Sequence, residues 1–152
     1  MRSKLFVLLC WASIVTPALA DPAQDAALAP LKTFVASINA NNVKAAVAEC
    51  ATKATITDEF APYHWTNAAC QTWAHALFAV AKAAGQSDEV MTLGDPVFVS
   101  VKGEAAYVSV PGHLTFKTKG KPGSEDGMFA AVMTKVAGEW KIASWAWATT
   151  KM

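Results

Sequence analysis

The chain has 152 residues, 53% of them hydrophobic and 16% charged, with a formal net charge of +1. That is one domain with enough apolar material for a core, which sets aside a disordered or low-complexity chain. Thirteen basic residues against twelve acidic ones leave no basic excess, so the electrostatic footprint of a nucleic-acid binder is missing.

The first twenty residues stand apart. Arg2 and Lys4 open the chain, Leu5 to Val15 is an apolar run, Pro17 breaks it, and "ALA" precedes Asp21. This order predicts a secretory signal peptide over 1–20, cut after Ala20, and a single domain over 21–152. The apolar run is short of the roughly 20 residues a membrane anchor needs. The expected product is therefore exported, periplasmic or secreted, with no membrane attachment after cleavage. Without Arg2 and Lys4, eleven lysines face twelve acids, a net charge of −1 with no arginine. An anionic ligand is disfavoured, because no guanidinium fork is present to hold it.

Leu28, Leu31, Phe34, Val35 and Ile38 recur at helical spacing, with Pro30 expected in the opening turn. "NANN" at 39–42 ends that helix, "VKAAVAEC" forms a short one, and Ala54 to Glu59 reads as a strand. A long helix follows, capped by Thr66 or Asn67 and stopped at Gly85. Its expected apolar stripe is Trp73, Ala76, Leu77, Val80 and Ala84, which leaves His75 in solvent. Beyond Gly85 the period changes to two. Val97, Val99 and Val101 lead to a turn at "KGE", and Ala105 to Thr118 is a strand interrupted at Pro111-Gly112, where a bulge could turn His113 toward a cleft. "KGKPGSEDG" reads as a polar loop, and "AGE" as a three-residue hairpin connection between two last strands. Helices first and strands afterwards indicate an α+β fold, with the helices on one face of a curved antiparallel sheet. The "AGE" connection pairs Val132 with Ser144 and leaves both faces of the last hairpin largely apolar, one of them carrying Phe129, Ala131, Met133, Ala143, Trp145 and Trp147. The outer face then needs a cover, and a second copy of the chain is the expected one.

Loss of the leader discards Cys10 and leaves Cys50 and Cys70. In an exported protein this pair suggests one disulfide, with two buried thiols or an intermolecular bridge as the other possibilities. No His pair has ligand spacing and the two cysteines lie far apart, so no metal site is expected. No cofactor fingerprint, nucleophile elbow or phosphate loop occurs either.

Chemistry concentrates in "ITDEFAPYHW", residues 56–65. Strand alternation puts Asp58 with Ile56 and Phe60 on the apolar side and Glu59 on a polar edge. A carboxylate on an apolar face has to be hydrogen-bonded, paired or pushed toward its neutral form. Two roles stay open for Asp58. It can accept backbone N–H bonds and fix the following loop, or it can act as a pocket base with His64 or Tyr63 as its proton partner. A one-residue slip would instead turn it outward. Trp65, Trp73, Tyr107 and Trp145 are candidates to line an apolar pocket.

The order of elements, the strand ending "ITDEFAPYHW" and the closing "GEWKIASWAW" resemble the nuclear transport factor 2-like superfamily, in its SnoaL-like branch. The resemblance spans about Ala27 to Ala148. It implies a cone-shaped cavity between helices and sheet, used in that superfamily by isomerases, dehydratases, cyclases, carriers and dimerising modules. Three functions follow as expectations: binding of a small apolar ligand at Asp58, Tyr63, His64, Trp65, Trp73 and Tyr107; a cofactor-free isomerase or dehydratase using Asp58 and His64; and a dimerisation module.

Overall fold

The computed structural model describes residues 21–152; the leader expected over 1–20 lies outside them. Helix α1 (Pro22–Asn39) starts earlier than its apolar stripe suggests. Asp21 caps it by accepting from the Ala23 N–H at 3.0 Å, and Pro22 fills a first-turn position whose N–H would go unused anyway. Pro30 consequently sits inside the helix, where its ring is buried and one backbone bond is given up. The short α2 (Val43–Ala48) is capped by Asn42, whose side chain accepts from the Ala45 N–H at 3.1 Å.

Helix α3 (Ala69–Ala84) ends at Gly85 with φ 71°, as expected of a left-handed C-terminal stop. Its start differs from the expectation. Neither Thr66 nor Asn67 caps it, because Asn67 and Ala68 both take left-handed φ and the chain enters the helix without a side-chain bond. The buried stripe is Cys70, Trp73, Ala74 and Ala81, rotated from the expected one, and Val80 is exposed. His75 is exposed, as anticipated.

Seven strands form one sheet: β1 (Cys50–Thr57), β2 (His64–Trp65), β3 (Gln86–Leu93), β4 (Phe98–Lys102), β5 (Ala105–Thr118), β6 (Lys121–Val136) and β7 (Glu139–Lys151). The order is β2-β1-β7-β6-β5-β3, with β4 on the same edge of β5 as β3. All pairings are antiparallel except β1 with β7, which run parallel. Helices α1 and α3 both pack on the sheet, α1 against β3, β4 and β7 and α3 against β1, β2 and β3. Asn39 ties the end of α1 to β3 with two bonds, donating to the Met91 carbonyl at 2.8 Å and accepting from the Met91 N–H at 2.9 Å. Its amide thereby acts as one more strand neighbour for β3.

Strand β5 has the expected extent but no interruption, and β6 is longer than the sequence suggests. Their register runs unbroken from Ala105–Thr134 to Thr118–Lys121, so "KGKPGSEDG" is mostly strand and only Lys119-Gly120 turns. No bulge occurs at Pro111-Gly112. Pro111 lies where β5 changes neighbours between β4 and β3, and its missing N–H costs no ladder bond there. The β6–β7 hairpin is likewise closed by two residues, Ala137-Gly138, not three. Both turns hold positive φ at both positions, 51° and 81° in the first and 51° and 87° in the second, as two-residue hairpins require. A bulge between Val132 and Met133 then restores the expected Val132–Ser144 pairing and brings Ile142 into the core opposite Met133.

Trp145 and Trp147 therefore face inward with Phe129, Ala131 and Met133. Phe98, Tyr107, Val132 and Val136 remain exposed, the first three at register positions facing away from the core. A disulfide joins Cys50 at the start of β1 to Cys70 in the first turn of α3. Replacing both cysteines with serine should lower stability by about 3 kcal/mol, given a closed loop of this size. Thermal melts with and without the substitutions check this, and equal melting temperatures would refute it.

Candidate functional site

Helices and sheet enclose a cavity of about 740 Å³, open at one end. Its apolar wall comes from α1 (Phe34, Ile38), α3 (Trp73, Leu77) and the inward face of β6 and β7 (Phe129, Trp145). The aromatic rings brace one another edge to face: Trp73 and Trp145 are 4.8 Å apart at 88°, and Phe129 and Trp145 are 5.5 Å apart at 70°. Asn39 and Met91 belong to the same wall, so the clamp between α1 and β3 also shapes the cavity.

Carboxyl groups supply the polar part. Strand β1 ends at Thr57; beyond it Asp58 is buried and Glu59 exposed, and both line the cavity. Asp58, 9% exposed, accepts from the Trp73 indole N–H at 2.7 Å and from the Glu59 backbone N–H at 2.7 Å. Its own N–H donates to the Tyr63 carbonyl at 3.1 Å, which closes the loop that follows. Burial pushes the Asp58 carboxyl above its ordinary range, the two donated bonds oppose that, and the nearby Glu125 charge adds to it.

Glu125 was not singled out by sequence reasoning. It reaches the cavity from β6, in a stretch that reads as loop but is strand, and it is buried. It accepts from the Trp147 indole N–H at 2.5 Å and meets the Thr149 hydroxyl at 2.8 Å. Thr149 also bonds Glu59. The Thr149 hydroxyl thus bridges Glu59 and Glu125. Burial, and then the charge and hydrogen bond of Glu125, push Glu59 upward, while the Thr149 bond opposes them. Glu59 is exposed, as alternation implies, and it also lines the cavity.

Glycines make room for this arrangement. Gly112 and Gly127 face each other across β5 and β6, and a Cβ on Gly127 would lie 2.2 Å from Cζ2 of Trp147. The indole lies across this bare backbone, and its N–H reaches Glu125.

Of the residues expected at a site, Asp58, Trp73 and Trp145 line the cavity. The others are elsewhere. Tyr63 is 60% exposed in the loop before β2. His64 sits on β2 and meets the Thr57 hydroxyl at 3.3 Å through Nδ1. Trp65 is buried against Phe60, with ring centroids 5.0 Å apart. Tyr107 is on the outward face beside Phe98. Neither His64 nor Tyr63 touches the Asp58 carboxyl, whose partners are an indole and a backbone amide. His113, on a regular strand, pairs in solvent with Asp126 at 2.5 Å. Among the described residues, no group of three His, Cys, Asp or Glu side chains is placed to hold a metal ion.

No protein-family model matches the chain, and no curated protein matches it in sequence. Solved structures do match. A nuclear transport factor 2-like superfamily protein from Salmonella enterica serovar Typhimurium aligns with a TM-score of 0.70 and 14% identity, over 86% of this chain and 92% of its own. A ketosteroid isomerase-like protein from Erwinia carotovora atroseptica aligns at 0.69 and 12%, over 87% and 99%. A third, a nuclear transport factor 2-like protein with a cystatin-like fold from Novosphingobium aromaticivorans, aligns at 0.69 and 13%, over 84% and 82%. At these identities what is shared is architecture, and by that measure the chain has the nuclear transport factor 2-like fold.

Proposed function

We propose that this chain is an exported small-molecule-binding protein whose ligand occupies the cavity between α1, α3 and the sheet. The observation that carries the reading is the cavity itself: about 740 Å³, walled by aromatic and aliphatic side chains, with a few polar groups at one end. Ligand sites have that size and that mixture. A packed structural core would instead have filled the space. Export rests on the leader-like order of residues 1–20, and the branch that the motifs resemble is SnoaL-like. Native mass spectrometry of protein purified from its own host tests the reading. Retained small-molecule mass, released on denaturation, is the expected result. Ligand-free protein that also binds no apolar probe would overturn it.

A second reading is an acid–base enzyme of the isomerase or dehydratase kind, and the meeting of Asp58, Glu59 and Glu125 in one cavity favours it. A carboxylic acid and a carboxylate in one cavity can give and take a proton on the same substrate. In this reading Asp58 and the Glu59–Glu125 pair carry the chemistry and His64 takes no part, since its ring lies on the far side of the loop, bonded to Thr57.

The protein is also proposed to be a homodimer through the outward sheet face, where Phe98, Tyr107 and Val132 are exposed together. A second copy offers the same apolar surface about a two-fold axis. Sedimentation at micromolar concentration should give a dimer, and Val132→Lys should give a monomer. A wild-type monomer would end this part of the reading.

A further inference from the structure

We propose that the cavity takes a protonated amine carried on an apolar body that also bears a hydrogen-bond-accepting oxygen. This deepens the small-molecule-binding reading and rests on it. Asp58, Glu59 and Glu125 converge on one end of the cavity. Every donor that reaches them is neutral: two indoles, one backbone amide and one hydroxyl. The ion pairs among the described residues are His113–Asp126, Lys117–Asp88 and Lys141–Glu139, and none includes these three carboxyls. Around the rest of the cavity, Asp88 is held by Lys117, Glu89 adds another acid, and Lys82 is exposed on α3. The cavity therefore carries an excess of negative charge with no side-chain cation within pairing distance of its inner end.

An anionic ligand would meet three acidic side chains and no base there, and a neutral one would leave them without a cation. The donor set is not one that holds a metal ion. The aromatic wall suits an organic cation, since the faces of Trp73, Trp145 and Trp147 attract an ammonium group and their area accommodates an apolar body.

Trp145 supplies an independent observation. It lines the cavity, it is 2% exposed, and its buried Nε1 has no hydrogen-bond partner. Buried indole N–H groups are ordinarily paired, and Trp73 and Trp147 are. A ligand oxygen is what this third indole lacks.

Three fluorescent probes that share a naphthyloxy body and differ in charge test the proposal: naphthyloxy-ethylamine, naphthyloxy-ethanol and naphthyloxy-acetate. Titrated against wild-type protein at neutral pH, the amine should bind roughly tenfold more tightly than the alcohol, with the acetate weakest. Glu125→Gln combined with Asp58→Asn should reduce the amine-to-alcohol affinity ratio toward one. Naphthyl-propylamine, in which a methylene replaces the ether oxygen, should bind several-fold more weakly than the ether. If alcohol or acetate equals the amine on wild-type protein, the inferred charge is wrong and the pocket stands. If the methylene analogue equals the ether, the oxygen is wrong. If none of the probes binds, the binding reading fails and this inference fails with it. The order on wild-type protein decides the matter even where the double variant does not fold.

Discussion

Asp58→Ala should lower the melting temperature by roughly 4–12 °C, whereas Asp58→Asn should lower it little at neutral pH. Alanine leaves two donors, the Trp73 indole N–H and the Glu59 amide, without their acceptor, and a buried donor so stranded costs about 1–3 kcal/mol. Each kcal/mol moves the midpoint of a domain of this size by about 4 °C. Asparagine keeps one acceptor oxygen and removes the charge that burial penalises. The two variants should also differ in pH response. Burial raises the Asp58 carboxyl in the folded state, so the fold holds that proton more tightly than the unfolded chain does. The stability this contributes is complete below the unfolded value and is lost as pH rises through the raised folded value. Glu59, raised mainly by burial, adds in the same direction. The melting temperature of Asp58→Asn relative to wild type should therefore climb as pH increases from about 4 toward neutrality. Thermal melts of the three proteins across that range check it. A constant difference between wild type and asparagine would mean that Asp58 titrates as it does in the unfolded chain.

This double position of Asp58 explains why its role stayed open in the sequence. Alternation from Ile56 correctly puts it on the buried side, and the loop-fixing role is present in its bond to the Glu59 amide. The partner that matters for the cavity, Trp73, is fifteen residues away on another element, and no local pattern connects them. Tyr63 and His64 looked like partners because they are near in sequence, but the loop turns both outward. Alternation gives the exposure of Glu59 correctly, but its place at the cavity depends on Thr149, ninety residues away, and no local pattern shows it.

The helical half was legible where its signals are local: an apolar stripe in α1 and a glycine stop after α3. In the second half, the alternation that groups Phe129, Ala131, Met133, Trp145 and Trp147 on one face was legible too, but which face looks inward was not. The turns were not. Two-residue hairpins need positive φ at both positions and usually advertise themselves with Asn-Gly or Asp-Gly. Here they are Lys119-Gly120 and Ala137-Gly138, so the glycine is visible but the residue before it is not. Once the first turn is misplaced, Gly123 to Gly127 reads as loop, and Glu125 disappears from view among polar neighbours. Glycine in a strand marks a close approach as often as a break. At Gly112 and Gly127 the approaching group is an indole from β7, whose position depends on a register three strands wide.

That indole gives the second large effect. Gly127→Ala should cost about 1–3 kcal/mol, the usual penalty for overfilling a packed site, because the new methyl would lie 2.2 Å from Cζ2, 2.5 Å from Cε2 and 2.6 Å from Cη2 of Trp147. The backbone on either side is held in two ladders, by β5 and by β7, so the indole has to move. Moving it breaks the Trp147–Glu125 bond and removes a donor from a buried carboxyl, so binding in the cavity should weaken together with stability. Gly123→Ala is the fitting comparison. Its Cβ would meet Phe116 at 2.6 Å, but that ring is only half-buried next to the Lys119-Gly120 turn and can swing aside, so the loss should be smaller. A second substitution tests the cause. All three atoms nearest to the Gly127 methyl belong to the six-membered ring of the indole, which phenylalanine at 147 does not place there. Trp147→Phe alone should destabilise, through lost packing and the missing N–H. Combined with Gly127→Ala it should cost less than the sum of the two, with a coupling of about 1 kcal/mol or more for residues in direct contact. Strict additivity in the four melting curves would show that the indole does not lie across the bare backbone of β5 and β6, and the route by which Glu125 is held in the cavity would then have to be drawn differently.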